Sequence, residues 1–331
     1  MNEYTRDRVN LFADNIRALK KAFALHSPII KRLAAIIYAQ EGKAADPEAI
    51  RRGYEIIKKN ASIFSMFRGN LSLCAAALLS LSGDPQAMFD GTLEVYAMLK
   101  DAKFWASDYL AVAALLIASG TGRENYARVV SRAKTIYGGM KARHWFLTGQ
   151  DDYVYAAMLG MSGVNEDSAA ERVEWFYGSL KNRFFDANSV QALAQILVLC
   201  GASGEAADRV LSLRETLKAA GVRLDRMYTL PMLGVFAAMP VDGVIIARDL
   251  KDAMVAFREQ KGVGFLVASR RELLIYAAAI TASKYADELG GGAVTAAVST
   301  GIAGIIIAQQ TAMIVALAAT SRAAASSHSS S

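Results

Sequence analysis

Adjacent carboxylates at Asp151 and Asp152 are the side chains in this sequence best placed for acid–base chemistry. Two neighbouring carboxyl groups can differ in pKa, so that one holds a proton while the other has lost it. The pair also opens an Ala/Leu-rich segment, where an aspartate suits the start of a helix. No partner base, metal ligand or nucleophile stands nearby in the sequence, so the pattern favours a helix cap over catalysis.

The other residues with chemical potential are scattered. His26, His144 and His328 have no partners at the spacing of a metal site or a catalytic triad, and the HExxH, GxSxG, Walker A and GxGxxG patterns do not occur. Cys74 and Cys200 each lie inside an apolar run, which is typical of a small buried side chain. The sequence therefore predicts no catalytic residue, no cofactor and no metal.

Opposite charges are concentrated in neighbouring segments. Residues 123–143 carry six Lys/Arg against one glutamate, and residues 151–174 carry six Asp/Glu against one arginine. Pairing between adjacent helices is the favoured explanation, and a polarised groove for a charged partner is the alternative. The candidate partner-binding residues from this region are Arg123, Arg128, Arg132, Lys134, Arg143, Trp145, Asp151, Asp152, Glu166 and Glu171.

These residues lie within a repeated sequence pattern, and the structural elements of that repeat must determine their positions. Apolar runs that end in glycine occupy 76–83, 113–120, 156–163 and 194–201, and a degenerate fifth run ends at Pro240, in steps of 37, 43, 38 and 39 residues. Each of the first four is followed by a more polar segment whose apolar residues are three or four apart, as in an amphipathic helix. No useful length alternates with a period of two. The sequence predicts an all-α fold, an α-solenoid of about five to six helix pairs of ~40 residues each.

Aromatic pairs stand just before the next apolar run at Phe104–Trp105, Trp145–Phe146 and Phe184–Phe185. We expect these rings to wedge between successive helix pairs rather than to form a ligand site, since stacked repeats need bulky filler between them. On that interpretation, Trp145→Ala costs about 3–5 kcal/mol through the loss of a core ring.

Three regions divide the chain. Residues 1–60 form a basic helical cap with 12 Lys/Arg against 7 Asp/Glu, 61–288 form the helical-repeat body, and 289–331 form an apolar Ala/Gly-rich helix with a Ser-rich tail. The cap holds most of the net charge of +6, so the charge predicts a solvated helical face rather than a nucleic-acid partner. Covering the first repeat is favoured for residues 4–24 over binding an anionic membrane.

The segment 293–319 is long enough to cross a bilayer. Only 10 of its 27 residues are Val, Ile, Leu or Met, and Gln309–Gln310 lies in the middle, where hydrocarbon disfavours amides. Small residues at every fourth position, such as Gly304 and Ala308, allow another helix to approach closely. A docked or self-associating helix is therefore favoured over a membrane tail anchor.

Composition limits the protein class. The chain has 331 residues, of which 53% are hydrophobic and 21% charged, with only two cysteines. These values exclude a disordered chain and a disulfide-rich secreted module. The N-terminus lacks the apolar stretch of a signal peptide. We expect a cytoplasmic protein, or in the membrane alternative one anchored by its tail at the inner face of the cell membrane.

The segment from Phe146 to Tyr153, followed by an Ala/Leu helix, and the MFRGN segment at 66–70 are similar to a bacterial family common in Firmicutes. That family is known only as a domain of unknown function of about the length of this chain. The resemblance covers essentially the whole chain. It implies a bacterial cytoplasmic origin and carries over no activity and no catalytic residues.

Repeats without catalytic motifs favour a non-enzymatic scaffold that binds a protein or peptide on its concave face. A membrane-tethered, tail-anchored adaptor is the alternative. An α-helical-toroid enzyme is less favoured, because it needs inward-facing acids that converge at one end, whereas the inner helices here are rich in Ala and Leu.

Overall fold

The computed structural model describes residues 1–63, 65–260, 268–289 and 301–316, and these residues form helices and connecting turns without a strand. The C-terminal helix at 301–316 is called α15. The other helices are α1 Glu3–Ala22, α2 Pro28–Gln40, α3 Pro47–Asn60, α4 Ser72–Leu81, α5 Pro85–Asp101, α6 Asp108–Gly120, α7 Tyr126–Arg143, α8 Asp152–Met161, α9 Glu166–Leu180, α10 Ala187–Leu199, α11 Ala206–Ala219, α12 Leu230–Ala238, α13 Gly243–Glu259 and α14 Arg270–Leu289.

Short polar side chains begin many of these helices. Asp46 accepts hydrogen bonds from the first-turn amides of α3, and Asp84 does the same for α5, with proline following each aspartate as the sequence predicts. The sequence predicts that the inner helices begin at the caps Asn70, Asp108, Asp152, Ser189 and Thr229. Thr229 does precede α12. The other four inner helices have different caps; α10, for example, is capped by Asp186 and not by Ser189. A cap needs a side-chain oxygen near a free amide, and several neighbouring residues in each loop can provide one.

Inner and outer helices alternate along the chain. The even-numbered helices α2 to α14 are inner, apolar and largely buried, whereas the odd-numbered helices are amphipathic and form the outer layer. Successive inner helices lie side by side, except at α4 and α6, and successive outer helices do so throughout. Buried alanines recur at one repeat position, at Ala76, Ala113, Ala156 and Ala194. The predicted series of helix pairs is thus confirmed, because each inner helix buries its apolar surface against neighbours on several sides.

The first and last pairs of the series contact each other. The ring of Phe12 on α1 lies 5.4 Å from that of Phe257 on α13 and 5.1 Å from that of Tyr276 on α14. Arg32 on α2 donates to both carboxylate oxygens of Glu272 on α14, at 2.7 and 2.9 Å. The helix pairs therefore close into a ring. Helices α1–α3 continue the series, so α1 packs on the other end of the body instead of covering a free end; the boundaries at residues 60 and 288 stay predictions.

Helix α15 crosses the inner face of the ring. A side chain added at Gly301 would meet Leu199 of α10, and one added at Gly304 would meet Met158 of α8 and Leu116 of α6. Four consecutive isoleucine and alanine positions, from Ile305 to Ala308, are buried. The expectation of a docked helix agrees with this arrangement over 301–316; residues 293–300 and 317–319 lie outside the described part of the chain. The concave face is thus occupied by the chain's own helix.

Candidate functional site

Exposed aromatic side chains stand at one end of the ring, in the loops that lead from each outer helix to the next inner helix. We call this group the aromatic rim. It comprises Trp105, Trp145, Phe146 and Phe185, whose relative exposures are 75%, 74%, 66% and 105%, respectively. They come from the loops of three successive repeats, and the amide of Trp105 donates to the hydroxyl of Tyr153 at the start of α8, at 3.3 Å. The rim therefore presents exposed apolar rings from three successive loops, which nothing in the described chain covers.

The prediction that both members of each aromatic pair wedge between helices is wrong for the rim. It holds for Phe104, which is buried edge-to-face against Tyr153 with 4.8 Å between ring centroids. The guanidinium of Arg214 lies 5.1 Å from the ring of the half-buried Phe184. In the first and third pairs only the second ring is exposed, whereas at Trp145–Phe146 both rings are exposed to solvent. The core role expected for Trp145 is accordingly corrected to a surface position.

Four of the predicted charged residues form two pairs between neighbouring outer helices. Arg132 on α7 contacts Glu166 on α9 at 2.8 Å and also donates to the carbonyl oxygens of Gly160 and Ser162. Arg143 lies 3.4 Å from Glu171. The favoured explanation of the two charge blocks, pairing between adjacent helices, is seen at these positions. Both pairs tie α7 to the following pair of helices.

The remaining cations of this region have other contacts. Arg123 pairs with Glu94 of α5 at 2.7 Å, and Arg128 donates to the side-chain oxygen of Asn125. The ammonium of Lys134 lies 5.3 Å from the centre of the Phe104 ring. These residues are not brought together in one groove with the acidic block, and their partner-binding role stays a prediction.

Asp152 lies inside the body, where it joins α8 to α10. Its Oδ1 accepts hydrogen bonds from the Gln195 and Gln191 amides at 2.6 and 2.9 Å, and its Oδ2 accepts from the backbone amide of Gly149 at 2.8 Å. Burial and the charge of Asp151 raise the pKa of Asp152 to about 7, and the three hydrogen bonds oppose that rise. The carboxyl group is only 4% exposed, so its oxygens serve the contact between α8 and α10 rather than a substrate.

Further acids stand at the same end of the ring, where successive inner helices begin. Asp108 begins α6, Asp151 precedes α8 and Asp186 precedes α10. Burial raises the pKa of Asp108, and burial together with the charge of Asp186 raises that of Asp151. Burial is also the main reason that the pKa of the Tyr109 phenol is raised, with Asp151 as the next cause. This grouping was not predicted, although Asp108 and Asp151 each lie five residues before the repeat alanine and were a signal for part of it; Asp186 lies eight residues before its alanine.

Among the described residues, no group of three or more His, Cys, Asp or Glu side chains is arranged to hold a metal ion. None of the described helices combines the length and the apolar character needed to cross a membrane.

A family model described as "Protein of unknown function (DUF4003)" matches residues 15–311. No curated protein and no solved structure matches the chain.

Proposed function

We propose that this chain, which belongs to the DUF4003 family of unknown function, is a non-enzymatic scaffold. It binds a protein or peptide through the aromatic rim. The exposure of Trp105, Trp145, Phe146 and Phe185 on successive loops carries this proposal. Grouped exposed aromatic side chains are typical of protein–protein interfaces, where Trp and Tyr often dominate the binding energy.

The position of the partner differs from the one the sequence suggested. A concave-face site is filled over 301–316 by α15, whose Ile305 and Ile306 are each only 1% exposed. The rim, by contrast, stays open beside the acids that begin α6, α8 and α10. We therefore place the partner across the end of the ring, with apolar side chains against the rim and basic or hydrogen-bond-donating groups towards the acids.

Substitution of rim residues tests the proposal. We expect Trp145→Ala and Phe185→Ala to abolish the capture of a partner from native lysate while the thermal unfolding temperature stays within about 2 °C of the wild type, because exposed side chains contribute little to stability. Trp175→Ala is the matched control, since Trp175 is half exposed on the outer helix α9, away from the rim. Retention of the partner by both rim variants, or its loss in the control as well, contradicts the proposal.

A tail-anchored adaptor would require α15 to leave the body. The amide of Gln309 donates to the hydroxyl of the buried Tyr155, and that contact supports the docked state instead. Self-association through α15 would likewise need surface that is now covered. Carbonate-resistant membrane association of the full chain, lost on truncation after Glu288, would favour the adaptor over the scaffold.

A toroid enzyme would draw on the acids that begin the inner helices. The carboxyl group of Asp152 is buried and accepts three hydrogen bonds, which supports a structural role for it. We therefore keep the non-enzymatic scaffold as the proposal.

A further inference from the structure

A cavity of about 530 Å³ opens between the loop that joins α11 to α12, the second half of α13 and the beginning of α14. We call it the basic cavity. Its apolar wall includes Val222, Met254 and Leu274. Six cationic side chains line the rest: Arg223, Arg226, Lys251, Arg258, Arg270 and Arg271. No acidic residue is among the described residues that line it.

Part of this positive charge is already compensated. Asp225 accepts two hydrogen bonds from the guanidinium of Arg223, both at 2.9 Å, and lies 3.9 Å from Arg226. These contacts lower the pKa of Asp225 against the effect of its burial. One carboxylate therefore serves two of the six cations at the edge of the cavity.

Three of the other cations, Arg270, Arg271 and Lys251, have no carboxylate partner among the described residues. Arg270 donates to the carbonyl oxygen of Gly221 at 3.2 Å, and the guanidinium of Arg271 lies 5.9 Å from the centre of the Tyr228 ring. Neither contact neutralises charge, and Lys251 forms no ion pair with an acid of the described residues. Like charges brought together on one wall repel each other, so a bound anion would stabilise this arrangement.

A residue beside the cavity has an unusual backbone conformation. Tyr228 has a φ of +68°, in the left-handed region that a tyrosine rarely adopts. Strain of this kind persists where surrounding contacts impose it, and it is frequent at ligand sites. The Tyr228 ring is the one that lies under Arg271, so the strained residue also orients a cation of the cavity.

We propose that the basic cavity binds a small phosphorylated organic molecule. The volume lies within the range of small-molecule sites and is too small for a folded partner. Guanidinium groups match phosphate oxygens with paired hydrogen bonds, and Arg270 and Arg271 are adjacent at the start of α14, where the helix dipole also favours an anion. The apolar wall, at Val222, Met254 and Leu274, accommodates the organic part of the ligand.

Calorimetric titration of the full chain with ADP, with inorganic pyrophosphate and with adenosine tests this site. We expect ADP to bind, pyrophosphate to bind more weakly because it lacks contact with the apolar wall, and adenosine not to bind. Arg270→Gln, Arg271→Gln and Lys251→Gln are each expected to weaken ADP binding about tenfold, the effect of one charge-assisted hydrogen bond. Arg52→Gln, which removes an exposed charge on α3, should leave the affinity unchanged.

Thermal unfolding of each variant verifies that it folds, and three separate substitutions keep the test valid if one of them does not. Absence of binding by both ADP and pyrophosphate overturns the proposal, as does an affinity that none of the three cavity variants changes. Binding of a glutamate-rich peptide without binding of either phosphate compound also overturns it, and would assign the cavity to a protein partner. The site is independent of the rim, so Trp145→Ala should bind ADP as the wild type does.

Discussion

Asp152 and Trp145 lie seven positions apart in the sequence, and burial gives them opposite roles. The carboxyl group of Asp152 is 4% exposed and accepts three hydrogen bonds, whereas the Trp145 side chain is 74% exposed. A charged group is expected at the surface and an indole in the core, so each residue departs from the average behaviour of its type. Such departures identify the positions at which substitutions are most informative.

Asp152 should make the stability of the protein depend on pH. Its pKa of about 7 in the folded protein lies above the ordinary value of 3.8, so the folded state binds a proton more tightly than the unfolded chain. Stability from this group is therefore present below about pH 4 and is lost as the pH rises through 7. From pH 5 to pH 8 we expect the free energy of unfolding of the wild type to fall. The corresponding fall in Asp152→Asn should be smaller by more than about 1 kcal/mol.

Urea unfolding at the two pH values measures this difference. Asp167→Asn, at an exposed position in the first turn of α9, is the matched control and should show the wild-type change. An equal dependence on pH in wild type and Asp152→Asn would refute the assignment of a raised pKa to Asp152.

Both cysteines should be unreactive towards thiol reagents in the folded protein. Burial raises the pKa of the Cys74 and Cys200 thiols to about 12 each, and alkylating reagents react with the thiolate. We expect no labelling by a maleimide at pH 7 in native buffer and two labels per chain in denaturant, counted by mass spectrometry. Ser62→Cys, at an exposed position, should add one label in native buffer; rapid native labelling of the wild type would show that the thiols are accessible.

Helix α15 shows how an element can be suited to two environments. Its small and apolar side chains fit a bilayer or a protein interior, yet here Gly304 lies against α8 and α6, and the amide of Gln309 has a partner in Tyr155. A membrane would deny that amide its hydrogen bond. The contacts of Gly304 and Gln309 thus indicate more clearly than the average hydropathy of α15 that this helix packs in a protein interior.

Gly304→Leu should disrupt the docking of α15. A Cβ at this position would lie 2.6 Å from the Met158 sulfur and 3.2 Å from Leu116 Cδ1, so a larger side chain forces the helices apart. We expect a loss of about 1–3 kcal/mol in the free energy of unfolding and faster cleavage of the C-terminal region in limited proteolysis. Ala316→Leu, at an exposed position of the same helix, should change neither; unchanged protection in Gly304→Leu would mean that α15 is not packed against α8.

Closure of the ring depends on contacts between residues far apart in the chain. The ion pair of Arg32 with Glu272 joins α2 to α14, and the hydroxyl of Tyr276 donates to the same carboxylate at 2.8 Å. Both charged side chains are almost completely buried, at 7% and 3% exposure. Removal of one partner leaves the other charge buried without compensation, which is strongly destabilising.

Arg32→Met should therefore lower the free energy of unfolding by about 3–5 kcal/mol, and adding Glu272→Gln should recover part of that loss, because the uncompensated carboxylate is then gone. Urea unfolding of the single and double variants measures both effects. Arg51→Met breaks the exposed pair with Glu48 and should cost less than about 1 kcal/mol. A loss for Arg32→Met no greater than for Arg51→Met would argue against a closed ring.

The sequence by itself determined the helices and their order. Periodic apolar residues and the Asp–Pro starts at 46–47 and 84–85 depend on local chemistry, and the structure confirms them. The repeat likewise predicted which helices are inner, because a wholly apolar helix such as α12 needs neighbours on several sides. Membership of an uncharacterised family was also within reach of the sequence.

Only the tertiary structure decided that the series closes, that α15 fills its inner face, and which aromatic rings of the pairs are exposed. Closure depends on small rotations between successive pairs, which add up along the chain and leave no local pattern. Phe104 and Trp105 are adjacent and both aromatic, yet one is 4% and the other 75% exposed, because loop geometry selects which ring enters the space between helices. The basic cavity arises for the same reason, since it brings together cations from residues 223 to 271 that are far apart in sequence.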